Sequence, residues 1–263
     1  MISKFSALIP GILFAVLVLI TGAPAQAADG QILITHAKAL GGNVTPGDAA
    51  NYPVTLSRSG SYILGSDLSP GPNRDAIVVA SSDIAIDLNG FKISGGPAGG
   101  TNNARFGILA NGDRLTVRNG TITGFESSAI QAPNRHYLIV EQMRMINSLH
   151  GISNPTGRFA RIQNNTIATN LRTGIICGAN CHVESNVVSG NGYWGIYIDA
   201  GTVLDNTITN NGRSGIYVIS GTIGYGNNTL IGNNTGSVQI DGGSAYWFQL
   251  HPNLCIESAT SCY

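Results

Sequence analysis

The chain has 263 residues, 14 Lys and Arg against 14 Asp and Glu, and a formal net charge of zero at pH 7. That balance excludes the strong basic excess on which a nucleic-acid partner depends. Its 35 glycines and a charged fraction of only 11 % fit one elongated, exported repeat domain.

Residues 1–27 read as a secretory signal. Lys4 stands in a short head, an apolar run extends from Phe5 to Ile20, and Ala25-Gln26-Ala27 supplies a small-residue cleavage site. The run is too short and wrongly flanked for a stable membrane anchor. No Cys follows the cleavage site, which argues against a lipoprotein, and the mature chain is expected in a periplasm or outside the cell.

Residues 28–75 are expected to form an N-terminal cap with the first strands. Ile32–Leu40 has the pattern of a short helix, broken by Gly41-Gly42 and Pro46-Gly47. Tyr52–Leu68 reads as two short strands around Ser59-Gly60. Ala76–Ala80 and Asp83–Leu88 then open a regular region over 76–241, with Gly95–Asn103 as an excursion from it.

Within that region the chain repeats itself. Cys181–Asp199 and Gly201–Ser220 align at an offset of 20, placing Val183 with Val203, Asn191 with Asn211 and Ile196-Tyr197 with Ile216-Tyr217. Three apolar rows extend the pattern at steps of 20 to 23. The first runs Ile108, Ile130, Ile152, Ile175, Ile196, Ile216, Val238. The second runs Val117, Val140, Ile162, Val183, Val203, Ile223, and the third Ile122, Met145, Ile167, Val188, Ile208, Leu230. Three short segments of period two per repeat, rich in Val, Ile and Thr, are strands. Three strands in about 22 residues give an all-β, single-stranded right-handed parallel β-helix of about seven regular coils, stacked at about 4.8 Å. Two sets of Asn, at 147, 170, 191, 211 and 233 and at 165, 186, 206 and 228, are placed to form buried amide ladders between coils. Residues 242–263 abandon the pattern and are expected to cap the last coil with Tyr246, Trp247 and Phe248.

Four Cys in an exported chain are expected to pair locally, Cys177 with Cys181 and Cys255 with Cys262. A metal site at Cys177, Cys181 and His182 is the competing reading. It lacks a second His or Asp at ligand spacing, and neither a metal nor a cofactor is expected.

Two outward features could hold a ligand. The position after each Gly-Ile anchor carries Ile176, Tyr197 and Tyr217 on consecutive coils, a candidate sugar-stacking row. Eight Arg lie between Arg105 and Arg172 against Asp113, Glu126 and Glu141, and the coils bring Arg118, Glu141, Arg161, His182 and Glu184 together. Such a basic groove suits an acidic polysaccharide; the bland alternatives are strand packing and a mixed-charge face. Asp199 and Asp241 align as outward carboxylates two coils apart, near the separation used by an inverting glycosidase, but they read as solvated turn residues.

The coils resemble the pectin-lyase-like right-handed β-helix superfamily. Val54–Leu68, Ile84–Gly95 and Asn253–Cys262 are similar to a group of secreted bacterial β-helix repeat proteins. The superfamily holds lyases, hydrolases, epimerases and adhesins, so the resemblance implies fold more than chemistry. Its enzymes carry clustered Asp with an Arg or Lys base, or paired Asp with His-Gly and Arg-x-Lys elements. Here His150-Gly151 is isolated and Arg161-Ile162-Gln163 lacks the Lys. No catalytic residue is assigned. The expected role is a non-catalytic, glycan-binding or structural protein of the cell envelope. A polysaccharide lyase or hydrolase acting on an acidic polysaccharide is the alternative.

Overall fold

The computed structural model describes residues 30–97, 103–236, 238–243 and 246–256. The chain winds as a parallel β-helix. Nine parallel strands, from Val54–Leu56 to Ile240–Gly242, stack into the first face. The second and third faces are joined into one 16-stranded sheet, because Leu115–Thr123 and Ile139–Ile146 run unbroken round the corner between them. Parallel crossovers of this kind are right-handed.

Each strand turns alternate side chains inward, and each inward residue stacks on its equivalent one coil away. Ile175, Ile196, Ile216 and Ile240 stack in register on the first face, and every one of them is buried. The second face stacks Val117, Val140, Ile162, Val183 and Val203. The third stacks Ile93, Ile122, Met145, Ile167, Val188, Ile208 and Leu230. β-branched side chains suit these rows, since their restricted rotamers interdigitate on a pleated surface.

Two rows end differently from expectation. Val203 stacks on Tyr225, not Ile223, and Ile216 stacks on Ile240, not Val238, which is 41 % exposed. Both shifts are of two residues. The turn before Thr222–Gly226 is longer than its predecessors, and a 3-10 turn over Asn233–Gly236 delays the last strand. A shift of two keeps the same face inward, so alternation alone cannot detect it.

The N-terminal helix is shorter than its pattern. Ile32–Ile34 is a strand paired with Tyr62–Leu64, and the helix covers His36–Gly41, capped where the Thr35 hydroxyl accepts the Lys38 amide. Pairing an extended segment with the open sheet edge outweighs its helical propensity. At the other end Tyr246–Gln249 and Leu254–Ile256 add a further parallel rung. Trp247 packs against the core, whereas Tyr246 and Phe248 are 70 % and 59 % exposed.

Both amide ladders form. Asn191 Nδ2 donates to Asn211 Oδ1 at 2.9 Å and to the Ile167 carbonyl, while its Oδ1 accepts from the backbone and side chain of Asn170. The run Asn170–Asn191–Asn211–Asn233 ends on Gln239. The second ladder, Asn165–Asn186–Asn206–Asn228, extends to Asn253, each link 3.0 Å. Asn147 stands outside the first ladder, whose upper end is Ser148; that hydroxyl accepts the Phe125 amide. Asn147 occupies the left-handed position one residue earlier, which Asn tolerates. The ladders also explain the Gly of the Gly-Ile motif. A Cβ at Gly195 would lie 2.9 Å from Asn211 Nδ2 and 2.6 Å from the Gly215 carbonyl.

Cys177 and Cys181 form a disulfide across the turn between the first and second faces. Cys255 is disulfide-bonded, and the expected partner Cys262 lies outside the described residues, as does the signal segment.

Truncating a ladder amide leaves buried groups on two neighbouring coils unpaired. Asn191→Ala should therefore lose about 1–3 kcal/mol of stability, measured by chemical denaturation. An unchanged midpoint would show that the ladder carries no net stabilisation.

Candidate functional site

The outward row of the first face runs Ser153, Ile176, Tyr197, Tyr217 and Asp241. Tyr197 and Tyr217 stack with centroids 5.3 Å apart and planes 6° from parallel. This is close to the rung spacing, which places aromatic rings on adjacent coils within stacking range. Trp194, in the turn before the strand, lies across both rings at 4.8 and 4.9 Å. Its neighbour Tyr193 meets it edge-on at 5.5 Å.

The same turn repeats on adjacent coils, and backbone bonds from Tyr193 to Arg172 and from Arg213 to Tyr193 hold the three in register. The guanidinium of Arg213 lies 4.3 Å from the Tyr193 ring and 5.1 Å from Trp194, and that of Arg172 lies 6.0 Å from Tyr193. Tyr193 is thus held between two cations, an arrangement each face of the ring favours. Among the described residues, neither Arg has a carboxylate within 4.0 Å. Beside them a groove of about 260 Å³ is lined by Trp194, Arg213, Ser214, Tyr217, Asn234 and Asp241. Tyr193, Trp194 and Arg213 escaped the sequence reading because they sit in turns, outside the strand period, and Arg172 entered it only as the end of the Arg-rich stretch. Their signal was the residue pair before each Gly-Ile anchor.

The second face differs in character. Arg118 donates to Asp87 at 3.0 Å and stacks on Glu141, which accepts from Gln163. Arg161 and His182 are neighbours in the adjacent row, and His182 bonds Glu184 at 3.0 Å and the Thr202 hydroxyl. Arg105 and Arg114 pair with Asp75 and Asp83. All three Arg–Asp pairs join the same two coils, those flanking the excursion near residue 100. Their Asp partners precede Arg105 and so lie outside the Arg-rich stretch. The charge here is mixed, and the fully exposed Arg114–Asp83 pair is screened by solvent.

The expected equivalence of Asp199 and Asp241 does not hold. Asp241 stacks on Tyr217, whereas Asp199 follows Ile198, which stacks on Val218, and accepts from Ser220 at 2.9 Å. The delay at Asn233–Gly236 moved Asp241 into the aromatic row. The metal reading of Cys177, Cys181 and His182 also falls, because both sulfurs are joined to each other. Among the described residues no three His, Cys, Asp or Glu gather in a metal-holding group.

The family model for a right-handed β-helix region matches residues 57–202 and, in an overlapping second match, 106–251. The chain belongs to the right-handed β-helix family. Among solved structures, this β-helix is similar to the Dettilon tailspike protein gp208. The identity is 12 %, the TM-score 0.48, and the match covers 77 % of this chain and 53 % of that one. It is also similar to gp49 of Acinetobacter baumannii bacteriophage Fri1, a tailspike described as a capsular polysaccharide depolymerase. There the identity is 11 %, the TM-score 0.38, and coverage 82 % of this chain and 50 % of that one. The β-helix spans about half the length of both. No curated protein matches it.

Near the platform, His150 accepts the Thr173 amide. Burial lowers its pKa, and the charge of Arg172 lowers it further. The folded chain thus resists a proton that the unfolded chain accepts near pH 6.5. Stability present above that pH should decline as pH falls through it, and His150→Gln should flatten the decline. Thermal melts between neutral and mildly acidic pH measure this, and parallel profiles for parent and variant would contradict it.

Proposed function

We propose that this β-helix is an exported, non-catalytic binder of acidic polysaccharide, holding the polymer across its first face. One observation carries the reading: the parallel Tyr197–Tyr217 stack with Trp194 lying across it. Sugar rings present apolar C–H faces and polar edges, so a half-exposed aromatic cluster binds them through its open ring surface while leaving hydroxyls in water. Ile176 continues the row by one coil. Arg172 and Arg213, without carboxylate partners among the described residues, supply the charge for uronate groups, and the fork of each can take a carboxylate bidentately. Arg118, Arg161 and His182 on the second face form a weaker contact, since Arg118 and His182 are already engaged by Asp87 and Glu184. Export rests on the signal pattern of residues 1–27 and agrees with the Cys177–Cys181 disulfide. Among the described residues no helix is long and apolar enough to cross a membrane.

Isothermal titration with polygalacturonate and alginate tests this. Trp194→Ala should weaken binding about tenfold or more, the usual weight of a central aromatic anchor, with the melting temperature nearly unchanged. Added salt should weaken the parent further. Unaltered affinity in Trp194→Ala would refute the platform. New reducing ends or unsaturated products appearing during the titration would replace the binder with a hydrolase or lyase.

A further inference from the structure

Five successive coils pass from the first face to the second through one left-handed residue. Asp83, Arg114, Tyr137, Phe159 and Asn180 occupy that position, with φ between 54° and 59°. They are stacked in register. Asn and Asp tolerate this conformation, whereas a bulky side chain is strained by it. Tyr137 and Phe159 are nonetheless there, 51 % and 46 % exposed, with rings stacked 5.1 Å apart and 13° from parallel. Burial does not account for them, and turn preference opposes them. Strain maintained where a side chain is presented to solvent points to a use for that side chain.

The surroundings are those of a ligand site. A groove of about 500 Å³ is lined by both rings with Asn134, His136, Thr156 and Arg158. His136 Nδ1 is buried beneath it without a hydrogen-bond partner. Arg158 is exposed and has no carboxylate within 4.0 Å among the described residues. The strand His150–Arg158 breaks register between Asn154 and Arg158, and such irregularities re-aim the side chain that follows.

From this geometry we infer a second saccharide site, taking a carboxylate-bearing sugar with its ring face on Tyr137 and Phe159 and its carboxylate on Arg158. Its ligand class rests on the reading of the Trp194 platform. The two sites flank opposite edges of the first face, and the Ile152 and Ile196 strands they adjoin are two rungs apart, about 10 Å along the axis. A polymer long enough to reach both would bind more tightly than a short one, because its second contact is intramolecular.

The test compares polygalacturonate with trigalacturonate on three proteins: the parent, the double variant Tyr137→Asn/Phe159→Asn, and Trp194→Ala/Tyr217→Ala. Asn suits the left-handed turn, so the first double variant should melt higher, by about 2–4 °C or more. It should also bind polygalacturonate about tenfold more weakly and lose the preference for the longer chain. Trp194→Ala/Tyr217→Ala should retain weak trigalacturonate binding. Full affinity in Tyr137→Asn/Phe159→Asn, with loss only in the Trp194 variant, would overturn the second site and leave the first. Loss only in the Tyr137 variant would overturn the first platform and leave the second. Absence of binding in the parent would overturn both.

Discussion

In a parallel stack the neighbour of each side chain is its own equivalent one coil away, and the buried amide ladders hold that relation fixed. An Asn side chain has two donors and an acceptor, and inside the corner of each coil all of them are used. From Asn165 and Asn170 onward, one donor goes to the next Asn, one to a backbone carbonyl, and the oxygen accepts from the preceding coil. A register slip of even one residue would put apolar side chains opposite these amides, at the cost of unpaired buried polar groups. Gly174, Gly195 and Gly215 are the corollary, since a Cβ on any of them would lie 2.9 Å from the amide nitrogen of the next Asn. Packing of Ile and Val rows supplies most of the burial, but a row of similar aliphatic residues is tolerant of shifts. The ladders are not.

Given that register, what appears on the surface is a set of columns, each read by one residue per coil. Where a column is Tyr, Tyr it becomes a stack, as at Tyr197 and Tyr217. Where it is Asp, Arg it becomes an ion pair, as at Asp83–Arg114 and Asp87–Arg118. Cation and aromatic alternate at Arg172, Tyr193 and Arg213. The fold therefore displays planar or charged groups at near-constant spacing without dedicating a loop to them, a geometry suited to a polymer with its own repeat. Under the proposed function, saccharide affinity resides in a few of these columns.

Much of this was legible in the sequence. The strands, the rows of Val, Ile and Leu, the ladders and the Ile176–Tyr197–Tyr217 column all follow from period and offset. Three of the misreadings share a cause. Ile223 for Tyr225, Val238 for Ile240 and the pairing of Asp199 with Asp241 each result from a two-residue delay in a turn, which leaves alternation intact. Turn residues themselves were the other blind spot. Tyr193, Trp194, Tyr137 and Phe159 lie outside any strand period, and only the conformation of the corners brings them together. The basic groove looked stronger in sequence than in space, because the partners Asp75, Asp83 and Asp87 come from the coil before the Arg cluster.

If nearest-neighbour stacking governs the structure, one coil should be removable. Deleting residues 192–211 joins Asn191 to Gly212 at equivalent positions, so that Asn191, still bonded to Asn170, faces Asn233 and the ladder is one rung shorter. Circular dichroism and a thermal melt of this shortened chain test the account most directly. It predicts a cooperatively folding β-helix, somewhat less stable for the lost interface. A deletion variant that is unfolded or aggregated, while a control deletion out of phase with the coil does no worse, would contradict it.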